Sequence, residues 1–378
     1  MPQPNRIIQA LKQNIATVIV GKEEVVHLAL IALVCGGHVL IEDVPGVGKT
    51  TLCSALARSL ACSFRRIQFT PDVIPSDITG FSVANMKTGE MEYRPGAVMS
   101  QIVLADEINR TSPKTQSALL EVMEEHQVTV DGTTYRLPQP FMVLATQNPV
   151  DFVGTYPLPE AQMDRFFMRI SIGYPSIEDE MEILERYSQP TTPLSALQPV
   201  CYAEDIVAMQ EQVKTVYCSR EVRSYVANLC AATRKHPALQ LGVSTRAAIA
   251  LIHAAQATAL LDGRDFILPD DVQQMAHPVL CHRMILSPEA RMRDQTAEQV
   301  LSDVLARVKL PYDRIDPRSL ALIRFFRAIY ILVNQLVYIK IVVRRRERLV
   351  VVQLALGRFV NTLVDFERRC FLKTLAAA

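Results

Sequence analysis

Charge of either sign is not in excess. The chain sets 40 Lys and Arg against 39 Asp and Glu, a formal net charge of +1 over 378 residues. That balance supplies no long-range field for a polyanion, which argues against a protein built chiefly to grip nucleic acid. Paired cysteines are missing too. The 8 cysteines fall in no Cys-x-x-Cys pair and beside no paired histidines, which excludes the usual zinc frameworks and a disulfide scaffold. Buried free thiols in a reducing compartment are the expectation. Met1 to Arg6 is polar and the following segment is amphipathic, unlike the apolar core of an export signal, so a cytoplasmic location is expected. A long apolar run is also lacking. The strongest, Leu320 to Val343, is interrupted by Arg324, Arg327, Asn334, Gln335 and Lys340, whereas a spanning helix needs about 20 mostly apolar residues.

What is present begins at His38 to Ile41, an apolar run that reads as a buried strand. It leads into Val44-Pro45-Gly46-Val47-Gly48-Lys49-Thr50, and a helix-period segment starts at Thr51. A strand, a glycine turn and a helix N-terminus aim several backbone N–H groups at one point, and the helix dipole adds positive potential there. Such a turn cradles a polyphosphate: Val44 to Thr51 would wrap it, Lys49 would reach its β- and γ-phosphates, and the Thr50 hydroxyl would hold Mg²⁺. One position departs from the phosphate-loop pattern, since Asp43 stands where its first glycine is usual.

Two further strand ends carry polar groups. Gln101 to Glu107 is an apolar strand closing on Asp106 and Glu107. Asp106 suits a Mg²⁺ ligand, direct or through water, and Glu107 a base that polarises the water attacking the γ-phosphorus. Phe141 to Gln147 is a third strand, and it ends in Asn148, a neutral group suited to hold that water or the γ-phosphate. Parallel α/β sheets bind ligands at the carboxyl ends of their strands, where all three motifs would lie.

Taken in order, these segments resemble the AAA+ ATPases, and their wording is similar to the MoxR family. The resemblance is carried by Val44 to Thr50, by Ala105-Asp106-Glu107-Ile108-Asn109-Arg110-Thr111-Ser112-Pro113-Lys114-Thr115-Gln116, by Ala145-Thr146-Gln147-Asn148-Pro149 and by Leu158-Pro159-Glu160-Ala161-Gln162-Met163-Asp164-Arg165-Phe166. It runs from about Val20 to about Pro311, and Asp43 is compatible with it. It implies an α/β fold: a P-loop core with a parallel sheet and β-hairpin insertions, followed by a helical lid. It also implies ATP and Mg²⁺ as cofactors, with Lys49, Thr50, Asp106, Glu107 and Asn148 in the roles given above. Arg165 matches the arginine finger supplied to a neighbouring subunit, and Arg246, in Ser244-Thr245-Arg246-Ala247, the sensor-2 arginine of the lid. A finger acting on a neighbour requires a head-to-tail homo-oligomer, expected as a hexameric ring. The family's implied work is chaperone-like: remodelling or maturing client proteins, including metal-cofactor insertion, often beside a partner with a von Willebrand factor A-type domain. A nucleic-acid-dependent motor and a nucleotide-gated scaffold are the alternatives. Neutral charge argues against the first, and Glu107, Asn148 and Arg165 against the second.

Periodicity organises the rest. Helices are expected over 6–19 and 23–35, a strand over 64–70, and small β elements within 71–97. A helix over 113–126 precedes a hairpin over 127–137 that turns at Asp131-Gly132. The polar hairpin tip lacks a Lys/Arg cluster, so DNA tracking is not expected there. The nucleotide-binding domain is placed at 1–187, a Pro- and Ser-rich linker at 188–200, and the helical lid at 201–312. Beyond it, 313–378 is an atypical apolar and basic tail. Its readings are an amphipathic packing helix, a membrane-surface helix using Arg344-Arg345-Arg346, or a segment foreign to the ATPase.

Overall fold

The computed structural model describes residues 4–87, 90–148, 154–188 and 191–311. Two helices open it, α1 (Pro4–Ala16) and α2 (Glu23–Val34), followed by strand β1 (Val39–Glu42) and helix α3 (Lys49–Ser59). Next come β2 (Phe64–Gln68), the short α4 (Pro75–Thr79), the hairpin β3 (Gly80–Ala84) and β4 (Met91–Pro95), then β5 (Ile102–Asp106) and α5 (Pro113–Glu125). A second hairpin, β6 (Gln127–Val130) and β7 (Thr133–Arg136), precedes β8 (Met142–Gln147), α6 (Glu160–Met163) and β9 (Met168–Ile170).

Strands β2, β5, β8, β1 and β9 form one parallel sheet in that order. Side chains alternate across it, as the period of a strand requires. Val39, Ile41, Ile102, Leu104, Met142 and Leu144 enter one core, while Leu40, Val103, Ala105, Val143 and Ala145 enter another on the opposite face. Burial on both faces explains why the central strands read as continuous apolar runs, with polar residues only at their carboxyl ends. At the other edge His38 is locked in place: its Nδ1 accepts from the Val143 N–H at 3.0 Å and its Nε2 donates to the Met123 carbonyl at 3.0 Å. Burial lowers its pKa to about 4, so the ring is neutral.

Helices dominate from Ile177: α7 (Ile177–Tyr187), α8 (Pro193–Ala196), α9 (Ala203–Val213) and α10 (Arg220–Arg234). A small strand β10 (Leu239–Leu241) precedes α11 (Thr245–Leu261) and α12 (Pro269–Leu280). Then β11 (Ile285–Leu286) pairs antiparallel with β10, and α13 (Pro288–Met292) and α14 (Ala297–Arg307) complete the fold. Alanines let α11 approach closely: Ala247, Ala254, Ala255, Ala257 and Ala259 are fully buried. Their cluster is continuous with that of α1, α2, α3 and one sheet face, so the lid shares a core with the nucleotide domain. Residues to Leu310 accordingly form one compact unit. The stretch read as a linker is packed as well: α8 lies in it, and Leu197 is buried in the same core. The tail expected at 313–378 lies outside the described residues. Among the described residues no helix is long and apolar enough to cross a membrane.

Both insertions are hairpins: the alternation predicts the second, and the small β elements expected within 71–97 pair as the first. Asp131 and Gly132 have φ of +49° and +78°, the two left-handed residues that a tight hairpin turn requires. The hairpins are joined by stacking of Tyr93 on Tyr135, with ring centroids 4.0 Å apart. Apolar side chains project from the first of them: Phe81, Met91 and Met86 are exposed, the last at 96%.

Candidate functional site

The turn between β1 and α3 is held open by two glycines. Gly46 and Gly48 have φ of +86° and +88°, and a Cβ at either would meet no protein atom within 4 Å. Gly48 is the N-cap of α3 and offers no capping side chain, so the first N–H groups of Lys49, Thr50 and Thr51 have no partner within the helix. No acidic residue occupies the first turn of α3. The Lys49 ammonium donates to the Asp43 carbonyl at 2.8 Å, which holds its charge on the loop itself. A concave turn of N–H donors and one lysine fits a polyphosphate.

Asp43 explains its own departure from the glycine pattern. Its buried carboxylate turns away from the cradle and accepts from Ser171 Oγ at 3.0 Å, from the Gly173 N–H at 3.1 Å and from the Ile172 N–H. The negative charge is thereby spent on the chain leaving β9, and the phosphate loop is fixed to the sheet edge.

Parallel pairing brings the other strand ends alongside. Glu42 lies opposite Gln147 and Gln68 opposite Asp106, so the phosphate loop follows β1, Asn148 follows β8 and Asp106 ends β5. These are successive strands, about 4.8 Å apart. Asn148 is buried. Asp106 Oδ1 accepts from the Thr146 hydroxyl at 2.6 Å, and Oδ2 accepts from Arg66 Nη2 at 2.6 Å. Thr146 Oγ1 in turn accepts from the Glu107 N–H at 2.8 Å. Glu107 is held in the left-handed region at φ +58°, a costly conformation for a non-glycine residue that typically marks a functional position. Its carboxylate accepts from Gln68 Nε2 at 2.8 Å and pairs with Arg110 at 3.4 Å.

No group of three His, Cys, Asp or Glu side chains capable of holding a metal exists among the described residues. Mg²⁺ needs no such group, since it usually takes one or two protein oxygens and completes its shell with phosphate and water. Thr50 and Asp106 are the residues that would hold it, Asp106 exchanging its contact to Arg66 for the ion. Bound there, Mg²⁺ would neutralise charge on the β- and γ-phosphates.

Arg165 and Arg246 lie elsewhere. Both reach Glu124, near the end of α5: Arg246 Nη2 donates to Oε1 at 2.7 Å, and Arg165 Nε is 3.3 Å from Oε2. Glu124 follows Met123, whose carbonyl holds His38 before β1, and the Phe167 N–H donates to the His38 carbonyl at 2.8 Å. The arginines therefore occupy the amino edge of the sheet, while the phosphate loop leaves its carboxyl edge, about 13 Å away along a four-residue strand. The structure joins Lys49, Asp106, Glu107 and Asn148 at one edge and Arg165 with Arg246 at the other. Arg246 is not brought to its own phosphate loop.

Several participants escape sequence reading. Thr146, Gln68, Arg66 and Arg110 engage the acidic pair, yet only Thr146 and Arg110 lie inside motifs. Gln116 in the 105–116 segment is fully buried, and its amide donates to the carbonyls of Ile108 at 3.1 Å and Tyr156 at 2.9 Å. It clasps the turn after β5 to the loop before α6.

Comparison with known proteins agrees with this fold. Residues 38–168 match the sequence model of the ATPase family associated with various cellular activities (AAA), and residues 231–304 match that of an AAA lid domain. The chain is 52% identical over 302 residues to the uncharacterized protein YeaC of Bacillus subtilis, covering 80% of this chain and 94% of that one. It is 41% identical over 315 residues to the chaperone MoxR1 of Mycobacterium tuberculosis, covering 81% and 83%. A crystal structure from Cytophaga hutchinsonii, described as a candidate ATPase, superposes with a TM-score of 0.77 at 39% identity, covering 81% of this chain and 95% of that one.

Proposed function

The chain belongs to the MoxR family of AAA+ ATPases, and from that premise we propose that it works as a closed ring in which neighbouring subunits complete each other's sites. It binds nucleotide and hydrolyses ATP. Lys49 and the N–H groups of Val44 to Thr51 hold the phosphates, while Thr50 and Asp106 hold Mg²⁺. Glu107 polarises the attacking water, and Asn148 positions it. Gln68 and Arg110 engage the Glu107 carboxylate, so the base must leave them to act.

One observation carries the reading: the catalytic groups and the two arginines sit at opposite edges of one sheet. A guanidinium on the amino edge is too far from its own phosphate loop to stabilise a transferring phosphoryl group, and head-to-tail stacking would present it to the next subunit. Arg165 then acts as a finger in trans. Arg246, held on the same carboxylate, serves the same neighbouring site.

The work coupled to hydrolysis is chaperone-like action on a client protein, in keeping with the relative named chaperone MoxR1. Remodelling that matures the client, metal-cofactor insertion included, is the task we assign, with a von Willebrand factor A-type protein as an adaptor. The stacked hairpins offer the client surface, since Phe81, Met86 and Met91 are exposed there. An apolar surface suits an unfolded or partly assembled protein better than a phosphate backbone.

Mixing single-lesion subunits tests the ring. Arg165→Ala subunits keep an intact pocket but offer no finger; Glu107→Gln subunits offer a finger but have no base. Each alone should lose at least ~10³-fold in turnover, and the mixture should regain hydrolysis. A mixture as inactive as its components would refute a finger acting in trans.

A further inference from the structure

Arg165 is carried by a segment with little support of its own. Helix α6 spans 4 residues and ends at Met163, too short to be stable by itself. Burial of Phe166 against the sheet and the Arg165–Glu124 pair anchor it on one side, and the lid supplies hydrogen bonds on the other. The Arg283 side chain, 3% exposed, places Nε 2.9 Å from Asp164 Oδ1, and its Nη2 donates to the Phe166 carbonyl at 2.6 Å and to the Asp164 carbonyl at 3.3 Å. Its Nη1 donates to the Val279 carbonyl at 2.8 Å, tying the same guanidinium to α12. The neighbouring His282 donates from Nε2 to the Phe166 carbonyl at 3.1 Å. Ser244 Oγ, the N-cap of α11, donates to Asp164 Oδ2 at 3.2 Å. Both residues flanking Arg165 are thus held by the lid, and Arg246 lies two residues beyond that N-cap.

We infer that Arg283 and His282 are positioning residues that latch the Asp164–Phe166 segment to the lid, so that the lid of each subunit aims Arg165 at its neighbour's nucleotide. Burying a charged pair seldom adds net stability, because desolvation offsets the attraction. A planar guanidinium with several donors in fixed directions is instead well suited to setting geometry. One such group grips the residue before Arg165 and the residue after it. Burial, reinforced by the adjacent Arg283 charge, holds the His282 pKa well below its ordinary value, so the ring is a neutral donor and Asp164 faces one cation from this pair.

The latch has a counterpart at the other edge. Arg169 on β9 joins Glu42 at 2.9 Å, just before the phosphate loop, to Glu298 at 2.6 Å, on the first turn of α14. The lid therefore touches the strand that leads to its own subunit's phosphate loop as well as the segment it offers to the next. A lid displacement caused by nucleotide at one site would reach the finger at the adjacent site through Arg283.

The latch rests on the reading of Arg165 as a finger, and subunit mixing separates the two. Arg283→Met should lower kcat about 10–100-fold, the scale of a ~1 Å misplacement, while KM for ATP stays within about twofold. Mixed with Glu107→Gln subunits, whose latch and finger are intact, Arg283→Met pockets should recover turnover. Mixed with Arg165→Ala subunits, which supply no finger, they should not. Should Arg283→Met fail to fold, Asp164→Ala removes the carboxylate that Arg283 and Ser244 reach and should give the same mixing pattern. An unchanged kcat overturns the latch, as does a loss that Glu107→Gln subunits fail to restore while they do restore Arg165→Ala. If Arg165→Ala is not restored either, the finger reading falls and the latch with it.

Discussion

At the scale of single residues, the site is built from side chains whose partners lie far along the chain. The glycine turn, the acidic pair and Asn148 are legible in sequence because each is a local string at the end of an apolar strand. Asp43 is not: its partners lie near residue 172, about 130 positions away. Sequence presents it only as a missing glycine, whereas the structure gives it three hydrogen bonds. Restoring the pattern with Asp43→Gly should therefore weaken the protein. Losing contacts to a buried carboxylate typically costs a few kcal/mol, and a loosened loop should raise the ATP dissociation constant several-fold. Thermal melting and nucleotide titration check both. Thr146 escaped notice for the same reason, since its hydroxyl matters only once β8 lies beside β5. Lys49→Ala should abolish ATP binding by calorimetric titration while leaving the melting temperature within a few degrees, because that half-buried side chain makes a single hydrogen bond, to the Asp43 carbonyl.

Among the elements, long periodic helices and the second hairpin follow from pattern, and α5 runs over Pro113–Glu125, within a residue of the span expected from the sequence. Strand β9 does not, because 3 residues are too few to show a period, and its place is set by pairing with β1. A helical lid over 201–312 follows from the sequence, yet no sequence signal indicates that its helices share a core with the sheet. That continuity comes from Ala-rich α11, whose small side chains allow close packing but carry no directional information. Hairpin coupling is likewise a tertiary fact, expressed in one pair of rings. Tyr135→Ala should remove the stack, worth about 1 kcal/mol, and loosen the other hairpin. Amide hydrogen exchange over Phe81–Ala84 should then accelerate several-fold. Unchanged exchange there would mean that the two insertions move independently.

For the molecule as a whole, buried histidines impose a pH dependence. His38 and His27 are held near pKa 4, and His126 and His282 are lowered as well, all chiefly by burial. His38 and His27 stay neutral in the fold but take up protons when unfolded, below about pH 6.5. The unfolded state thus binds more protons, and stability falls as pH drops from about 6.5 toward 4. Asp271 runs the other way, since burial raises its carboxyl. Between pH 7.5 and 5.5, His38 alone should cost about 1 kcal/mol. Urea unfolding of His38→Gln, which retains a donor and an acceptor, should show a correspondingly flatter pH profile. The most direct test of the whole account is a cryo-electron microscopy structure of Glu107→Gln protein with ATP and Mg²⁺. Lys49, Thr50 and Asp106 should surround one Mg²⁺-bound triphosphate, with the neighbouring subunit's Arg165 released from Glu124 and within hydrogen-bonding distance of the γ-phosphate. A nucleotide bound there with Arg165 still on Glu124 and no neighbouring arginine near the phosphate would contradict it.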